Sequence, residues 1–281
     1  MFTIGADPEF FIQKYDGTMQ PIVGLLGGTK DKPIAVQGAR KGFAVQEDNV
    51  MAEYNIPPTA HADQFAEFIN LGRVYALNMI RTREPNVDVF YDCAAEFTQP
   101  QLATPQAQTF GCSPDFDAYA QGAPLPRISP TALTLADGSA WRFAGGHIHL
   151  GYRDSLGWQV PDFVVATLCD LLISIPMIAH GFDPQGMRRQ FYGTPGRYRP
   201  TAYGIEYRTL GNKWTLSQKF SQWAAFSAFK VMDLLNRGEG EVRRVYNDMP
   251  WQDVGAAIAN EDAAEASALR QFVLNYGLET I

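Results

Sequence analysis

An α+β fold with a largely antiparallel sheet is what this sequence predicts, on three observations. Strand-like stretches with period-two alternation are scattered through residues 2–208 without a regular strand–helix–strand repeat. Long stretches near 59–83, 161–179 and 214–236 carry apolar residues at helical spacing. Four of the strand-like stretches place two charged or polar side chains on one face and apolar ones on the other.

Residues 2–12 alternate, with Phe2, Ile4, Phe10 and Ile12 on one side and Asp7 and Glu9 on the other. Asp16-Gly17 signals a hairpin into a second strand near 21–26. The loop Gly27-Gly28-Thr29-Lys30 lacks P-loop spacing, and phosphate binding is not expected there. Two strands, 43–46 and 50–56, flank Glu47-Asp48-Asn49, and Met51, Glu53 and Asn55 share a face of the second. A helix follows from Thr59 or His61 to about Arg83, with His61 a first-turn residue. Residues 87–97 read as one strand, and 98–139, rich in Gln, Pro, Ala and Ser, as a functional loop or flap. Residues 141–152 form a strand broken at Gly145-Gly146, and 161–179 a buried helix with His180 as its C-terminal cap. An arginine-rich loop at 183–200 leads into Tyr203-Gly204-Ile205-Glu206-Tyr207-Arg208, a strand with Tyr203, Ile205 and Tyr207 on its apolar side. A helix at 214–236 ends at Gly238-Glu239-Gly240, and two more, about 250–259 and 261–276, finish the chain.

With 281 residues, 46% of them hydrophobic, the chain can bury a core without staples. A net charge of -7 argues against a broad nucleic-acid footprint. Cys93, Cys112 and Cys169 have neither disulfide nor zinc spacing, which fits a reducing cytoplasm. No leader peptide is expected from the first residues, and the apolar run 163–178, interrupted by Asp170 and Pro176, is too short for a comfortable membrane span.

The four strand pairs are Asp7/Glu9, Glu53/Asn55, His147/His149 and Glu206/Arg208. A single pair of this kind is a solvated face or a cross-strand ion pair. All four, however, avoid the Lys, Thr, Ser and Gln of ordinary solvated strands. If the strands share a sheet, several carboxylates converge, and they repel unless cations sit between them. Oxygen donors with one imidazole suit magnesium or manganese. Zinc is the weaker option, because no third His or Cys stands near His147 and His149. Arg188, Arg189, Arg197 and Arg199 cluster just before the last pair, and guanidinium forks match phosphate oxygens.

The segments 5–11, 48–55, 146–151, 192–199 and 204–208, in this order, resemble the phage-type carboxylate–amine ligases, type 2, amidoligases related to glutamine synthetase and glutamate–cysteine ligase. The resemblance implies one catalytic domain over 1–281, a glutamine-synthetase-like curved antiparallel sheet with helices on its apolar face, and a helical C-terminal part at 214–281. It implies ATP and two or three magnesium (or manganese) ions on the concave face, and small-molecule or peptide carboxylate and amine substrates joined through an acyl phosphate. Carried over by motif, Asp7, Glu9, Glu53, His147 and Glu206 are metal ligands, and Arg199 and Arg208 stabilise the transferring phosphoryl group. Arg188, Arg189, Arg197, Asn55 and His149 are expected at the nucleotide or its phosphates. Asp48 stands nearer Glu53 than the interval associated with the synthetases. Two other readings use the same residues: a metal-dependent hydrolase or phosphotransferase, and a non-catalytic binding protein. Neither nucleic acid nor membrane is expected as a partner.

Overall fold

The computed structural model describes residues 1–109 and 115–278. Part of the 98–139 segment, with Cys112, and the last three residues of the C-terminal part lie outside the described residues.

The first alternating stretch is two strands, β1 (Thr3–Ala6) and β2 (Glu9–Lys14), in different sheets. Proline has no N–H to give a ladder, so pairing lapses at Asp7-Pro8 and the chain crosses over. After β3 (Met19–Gln20), the expected strand at 21–26 is instead a turn. The Glu47 carboxylate accepts the N–H groups of Gly24, Leu26 and Gly27, which takes those amides out of any ladder. A short β4 (Ile34–Ala35) pairs with β5 (Ala44–Asp48), which turns through Asn49 (φ 56°) into β6 (Met51–Asn55). The left-handed conformation suits Asn, whose side chain bonds locally. Helix α1 (Ala62–Arg81), with His61 as its N-cap residue, then buries Phe65, Ile69 and Ala76 and packs against β6 and a later helix at Gln218–Asn236.

The single strand expected at 87–97 is split into β7 (Val87–Phe90) and β8 (Ala94–Phe97). Asp92 caps the N–H of Cys93 and turns the chain between them. Beyond a short α2 (Pro105–Gln108), β9 (Phe116–Asp117) and β10 (Ala123–Pro124) extend a sheet, so the 98–139 segment is partly built into the fold. Strand β11 (Ala140–Phe143) pairs with β8, and β12 (Ile148–Gly151) follows the glycine break. The buried helix is two pieces, α3 (Asp162–Cys169) and α4 (Ile175–Ala179), joined by a π-helical segment at Asp170–Ser174. The stretch Asp162–Ala179 is long and apolar enough to cross a membrane, but 83% of it is buried within the fold, as a core helix would be. His180 is the C-cap residue of α4.

Within the arginine-rich loop, residues Arg197–Pro200 form β13, paired with β14 (Gly204–Tyr207). Tyr203 lies before that strand and is 43% exposed; its hydroxyl meets the His149 ring instead of the apolar side. Helix α5 (Gln218–Asn236) is followed by α6 (Glu239–Asp248), which the sequence reading missed, then α7 (Trp251–Asn260) and α8 (Ala263–Asn275). Gly238 (φ 98°) breaks α5, and Glu239 and Glu241 start the next helix at its positive end. Only Val242 and Val245 of α6 are buried, too sparse a stripe to read among its charges.

Among the described residues, every strand pairing is antiparallel. One sheet runs β1-β12-β14-β13-β9-β10; a second runs β3-β2-β6-β5-β4, with β7 also on β2. Ile4, Ile148, Leu150, Ile205 and Tyr207 from the first, and Phe10, Ala52, Tyr54 and Val45 from the second, belong to one core that includes α1, α3 and α5. The opposite faces carry the charged pairs of the site, beside a smaller apolar cluster that includes Phe11, Met51, Phe97 and Ala140.

Candidate active site

The register of the strands explains how sequence pairs become a site. In the first sheet Gly5, His149, Glu206 and Arg199 lie level across β1, β12, β14 and β13. In the second, Glu9 lies opposite Glu53, and Glu53 opposite Gln46. The two sheets are stapled where the chain crosses between them. Glu9 N–H donates to the Gly145 carbonyl (2.8 Å), and Gly145 N–H donates to Glu9 Oε2 (2.6 Å). A side chain at 145 has no room, since its Cβ would lie 2.3 Å from His147 Nε2 and 3.0 Å from Arg188 NH2. Gly145→Ala is therefore expected to displace the imidazole and weaken manganese binding about tenfold, as disturbed ligand support does. Calorimetric titration with manganese checks this, and an unchanged affinity would mean that the ring is not held by this contact.

Two groups of ligand-type side chains result, Asp7–His147–Glu206 and Glu9–Asp48–Glu53, with the ligand atoms of each group within 4.8 Å of one another. His147 Nδ1 lies 3.2 Å from Asp7 Oδ1 and 3.4 Å from Glu206 Oε1. Burial and the Arg208 guanidinium push the His147 imidazole down to about 4, so it is neutral and has a lone pair to offer at neutral pH. In the second group the carboxylates repel. Burial, then Asp48, raises Glu9 to about 8; burial, then Asp7, Glu9 and Asp48, raises Glu53 well above its usual range; burial raises Asp48. Asp7 behaves differently: burial pushes it up, but His149 and His147 outweigh this and hold it well below the carboxylate range. Buried acids that are costly to ionise together fit a divalent cation, whose charge would reverse the penalty. Oxygen donors with a single neutral imidazole fit magnesium or manganese. Asp48, left open by the sequence, stands with Glu9 and Glu53.

A cavity of about 400 Å³ beside these acids is lined by Arg188, Arg197, Arg199 and Arg208. Asp7, Glu9, Glu53 and His147 also line it, and Glu206 adjoins it through Arg208 NH1 and His147. Besides Glu206, three predicted residues stand outside this lining. Arg189 is buried against the Gly193 and Thr209 carbonyls and pairs with Glu261 (3.4 Å). His149 bridges Asp7 Oδ1 (3.1 Å) and the Tyr203 hydroxyl, and burial opposed by Asp7 leaves it raised to about 9. Asn55, at the far end of β6, is half-buried.

The structure adds residues that the sequence reading passed over. Lys30, from the glycine-containing loop, lines the cavity, as do Arg127 and Arg142. Asp115 reaches it from the 98–139 segment and lies 2.9 Å from Arg199 Nε and 3.0 Å from Arg208 Nε. Asp115-Phe116-Asp117 repeats the polar–apolar–polar spacing of the other four strands, a signal available in the sequence. Leu125, Pro126, Ile128 and Leu133 give the same segment an apolar wall on the cavity.

Among known proteins, the family model described as phage phiEco32-like COOH.NH2 ligase-type 2 matches residues 137–243. The match takes in the His147 strand, the arginine-rich loop and the Glu206–Arg208 strand, and it is the family that the ordered motifs resemble. No curated protein matches the chain.

Proposed function

We propose, with a carboxylate–amine ligase family match over 137–243 as the premise, that this chain is an ATP-dependent ligase that forms an amide through an acyl phosphate. The observation that carries the reading is that two acidic groups and four arginines meet at one cavity. A triphosphate needs both: cations held by carboxylates and guanidinium forks on its terminal oxygens. Asp7, His147 and Glu206 would hold one ion and Glu9, Asp48 and Glu53 another, the ions neutralising phosphate charge and aligning the displacement.

In the first step a substrate carboxylate oxygen bonds to the γ-phosphorus and ADP leaves. In the second an amine nitrogen bonds to the acyl carbon, phosphate leaves, and the amine gives up a proton. Arg199 and Arg208 stabilise charge that develops on the transferring phosphoryl group. The wall formed by Leu125, Pro126, Ile128 and Leu133 keeps water from the acyl phosphate. A cytosolic setting, where ATP and free magnesium are at hand, agrees with this chemistry.

The test is ADP release in magnesium, screened over paired amino acids and short peptides. Release that requires both a carboxylate and an amine is expected. Release without any amine would favour the metal-dependent hydrolase or phosphotransferase. No nucleotide binding and no release with any pair would leave the non-catalytic reading.

A further inference from the structure

Arg199 and Arg208 touch the same two carboxylates. Asp115 Oδ1 lies 2.9 and 3.0 Å from the Nε atoms of both, as ion pairs without hydrogen-bond alignment, and Asp115 Oδ2 lies 3.5 Å from an Arg197 terminal nitrogen. Glu206 Oε1 faces the NH1 atoms of both, 3.8 Å from Arg199 and in closer contact with Arg208. The four side chains thus close a ring of alternating charge. Its two acids are not equivalent. Glu206 belongs with Asp7 and His147, where a cation would draw on its charge. Asp115 belongs to neither acidic group. It is also fixed by the backbone: Phe116 lies opposite Tyr198, which brings Asp115 level with Arg199, and Leu125 N–H donates to the Asp115 carbonyl (2.7 Å).

We propose that Asp115 is a positioning residue for the reaction, holding Arg199 and Arg208 by their Nε edges so that both terminal forks stay trained on the transferring phosphoryl group; this rests on the ligase reading. The arrangement answers a physical need. Arg188, Arg197, Arg199 and Arg208 line one small cavity and repel one another. Once Glu206 serves a cation, Asp115 is what keeps two of them side by side. It also ties that alignment to the segment that carries Leu125 of the apolar wall, through the Leu125 N–H on the Asp115 carbonyl.

The experiment compares wild type, Asp115→Asn and Asp115→Glu in three measurements: turnover, binding of magnesium tripolyphosphate, and thermal stability. In Asp115→Asn turnover is expected to fall roughly tenfold or more, as misplacement of reacting groups typically does. Tripolyphosphate should bind severalfold more tightly, because a competing anion has been removed from the arginines. Asp115→Glu, which keeps the charge and shifts it by one methylene, should retain wild-type affinity and recover part of the turnover. Turnover within twofold of wild type in Asp115→Asn overturns the proposal. So does a joint loss of turnover, affinity and melting temperature, which marks a merely structural residue. If wild type binds tripolyphosphate but releases no ADP with any substrate pair, the ligase reading falls, and the affinity comparison still decides on Asp115: unchanged or weaker binding in Asp115→Asn overturns its role. If Asp115→Asn does not fold, full turnover in Asp115→Glu overturns it instead.

Discussion

Arg208→Lys is expected to lower turnover by about two to three orders of magnitude, the usual cost of losing one transition-state donor, while nucleotide affinity stays within severalfold of wild type. Arg208 is largely enclosed in the site and makes three polar contacts at once: Nε to Asp115, and NH1 to Glu206 and to His147 Nδ1. Burial opposes its charge, but Glu206 and Asp115 outweigh that and hold the guanidinium firmly protonated. A lysine keeps the charge but has one short-range head in place of a planar fork. It can satisfy Glu206 or Asp115, not both while also reaching a phosphate oxygen. Ground-state binding, spread over Arg188, Arg197, Arg199 and the cations, survives; transfer does not. The check is kcat beside nucleotide affinity. If both stay near wild type, Arg208 is only the partner of Glu206, and the ligase reading loses its centre.

The metal-free protein is expected to lose stability as pH rises from about 6.5 to 8, and magnesium is expected to remove much of that loss. The sign follows from Glu9, raised from an ordinary value near 4.5 to about 8 by burial and Asp48. Between those values the folded state binds the extra proton, so stability falls as pH climbs through the folded value. Glu53 and Asp48 are raised and act in the same direction. His149, raised to about 9, adds to the loss, because stability gained from its charge fades as pH rises. Asp170, raised to about 7 by burial, does likewise. His147, lowered to about 4, has the opposite sign, but its window ends near the ordinary value of 6.5. Asp7, Asp115 and Glu206 are lowered, so their contributions are lost only in acid, below the ordinary carboxylate range. In EDTA at pH 8, Glu9→Gln should raise the melting temperature by roughly 5 °C, since a chain of this size gains a few degrees per kcal/mol. The same variant should lose most of the shift that magnesium gives wild type. A pH-independent melting temperature in EDTA would mean that these acids do not share a crowded site.

Much of this site was legible because a strand encodes its faces in steps of two. Asp7 and Glu9, His147, and Glu206 and Arg208 are drawn together by that alternation once the register is set. What alternation does not encode is which strands become neighbours. Asp7 and Glu9 read as one strand, yet Pro8 divides them between sheets, so the expected single surface is two surfaces meeting at the cavity. Arg188 and Arg189 are adjacent and chemically alike. A short 3-10 turn at Gly186–Gln190 puts the first on the cavity and the second against Glu261. No composition rule distinguishes them. Asp115 was hidden by its setting, beside two ladder residues inside a stretch of Pro and Gln, because so short a strand exists only through its pairing with β13 and β10. Lys30 was set aside for lacking a phosphate-loop spacing, yet it reaches the cavity by a route that spacing does not describe: Glu47 gathers the amides of its loop.

The staple between Glu9 and Gly145 also sets the order in which the molecule is made. Strand β1 has its ladder partner in β12, and Glu9 donates its amide to residue 145, so the chain's first strands are completed by segments synthesised more than a hundred residues later. Contacts so distant along the chain must bear their loop-closure entropy before they return any stabilisation, which makes such topologies slow to fold. Until that closure the acids of the first fifty-five residues and the arginines after residue 187 belong to separate, unfinished sheets. The candidate site therefore arises late in folding, in the same event that joins the N-terminal strands to the rest, and a chain truncated before residue 188 carries Asp7, Glu9, Asp48, Glu53 and His147 without the four arginines that line the cavity with them.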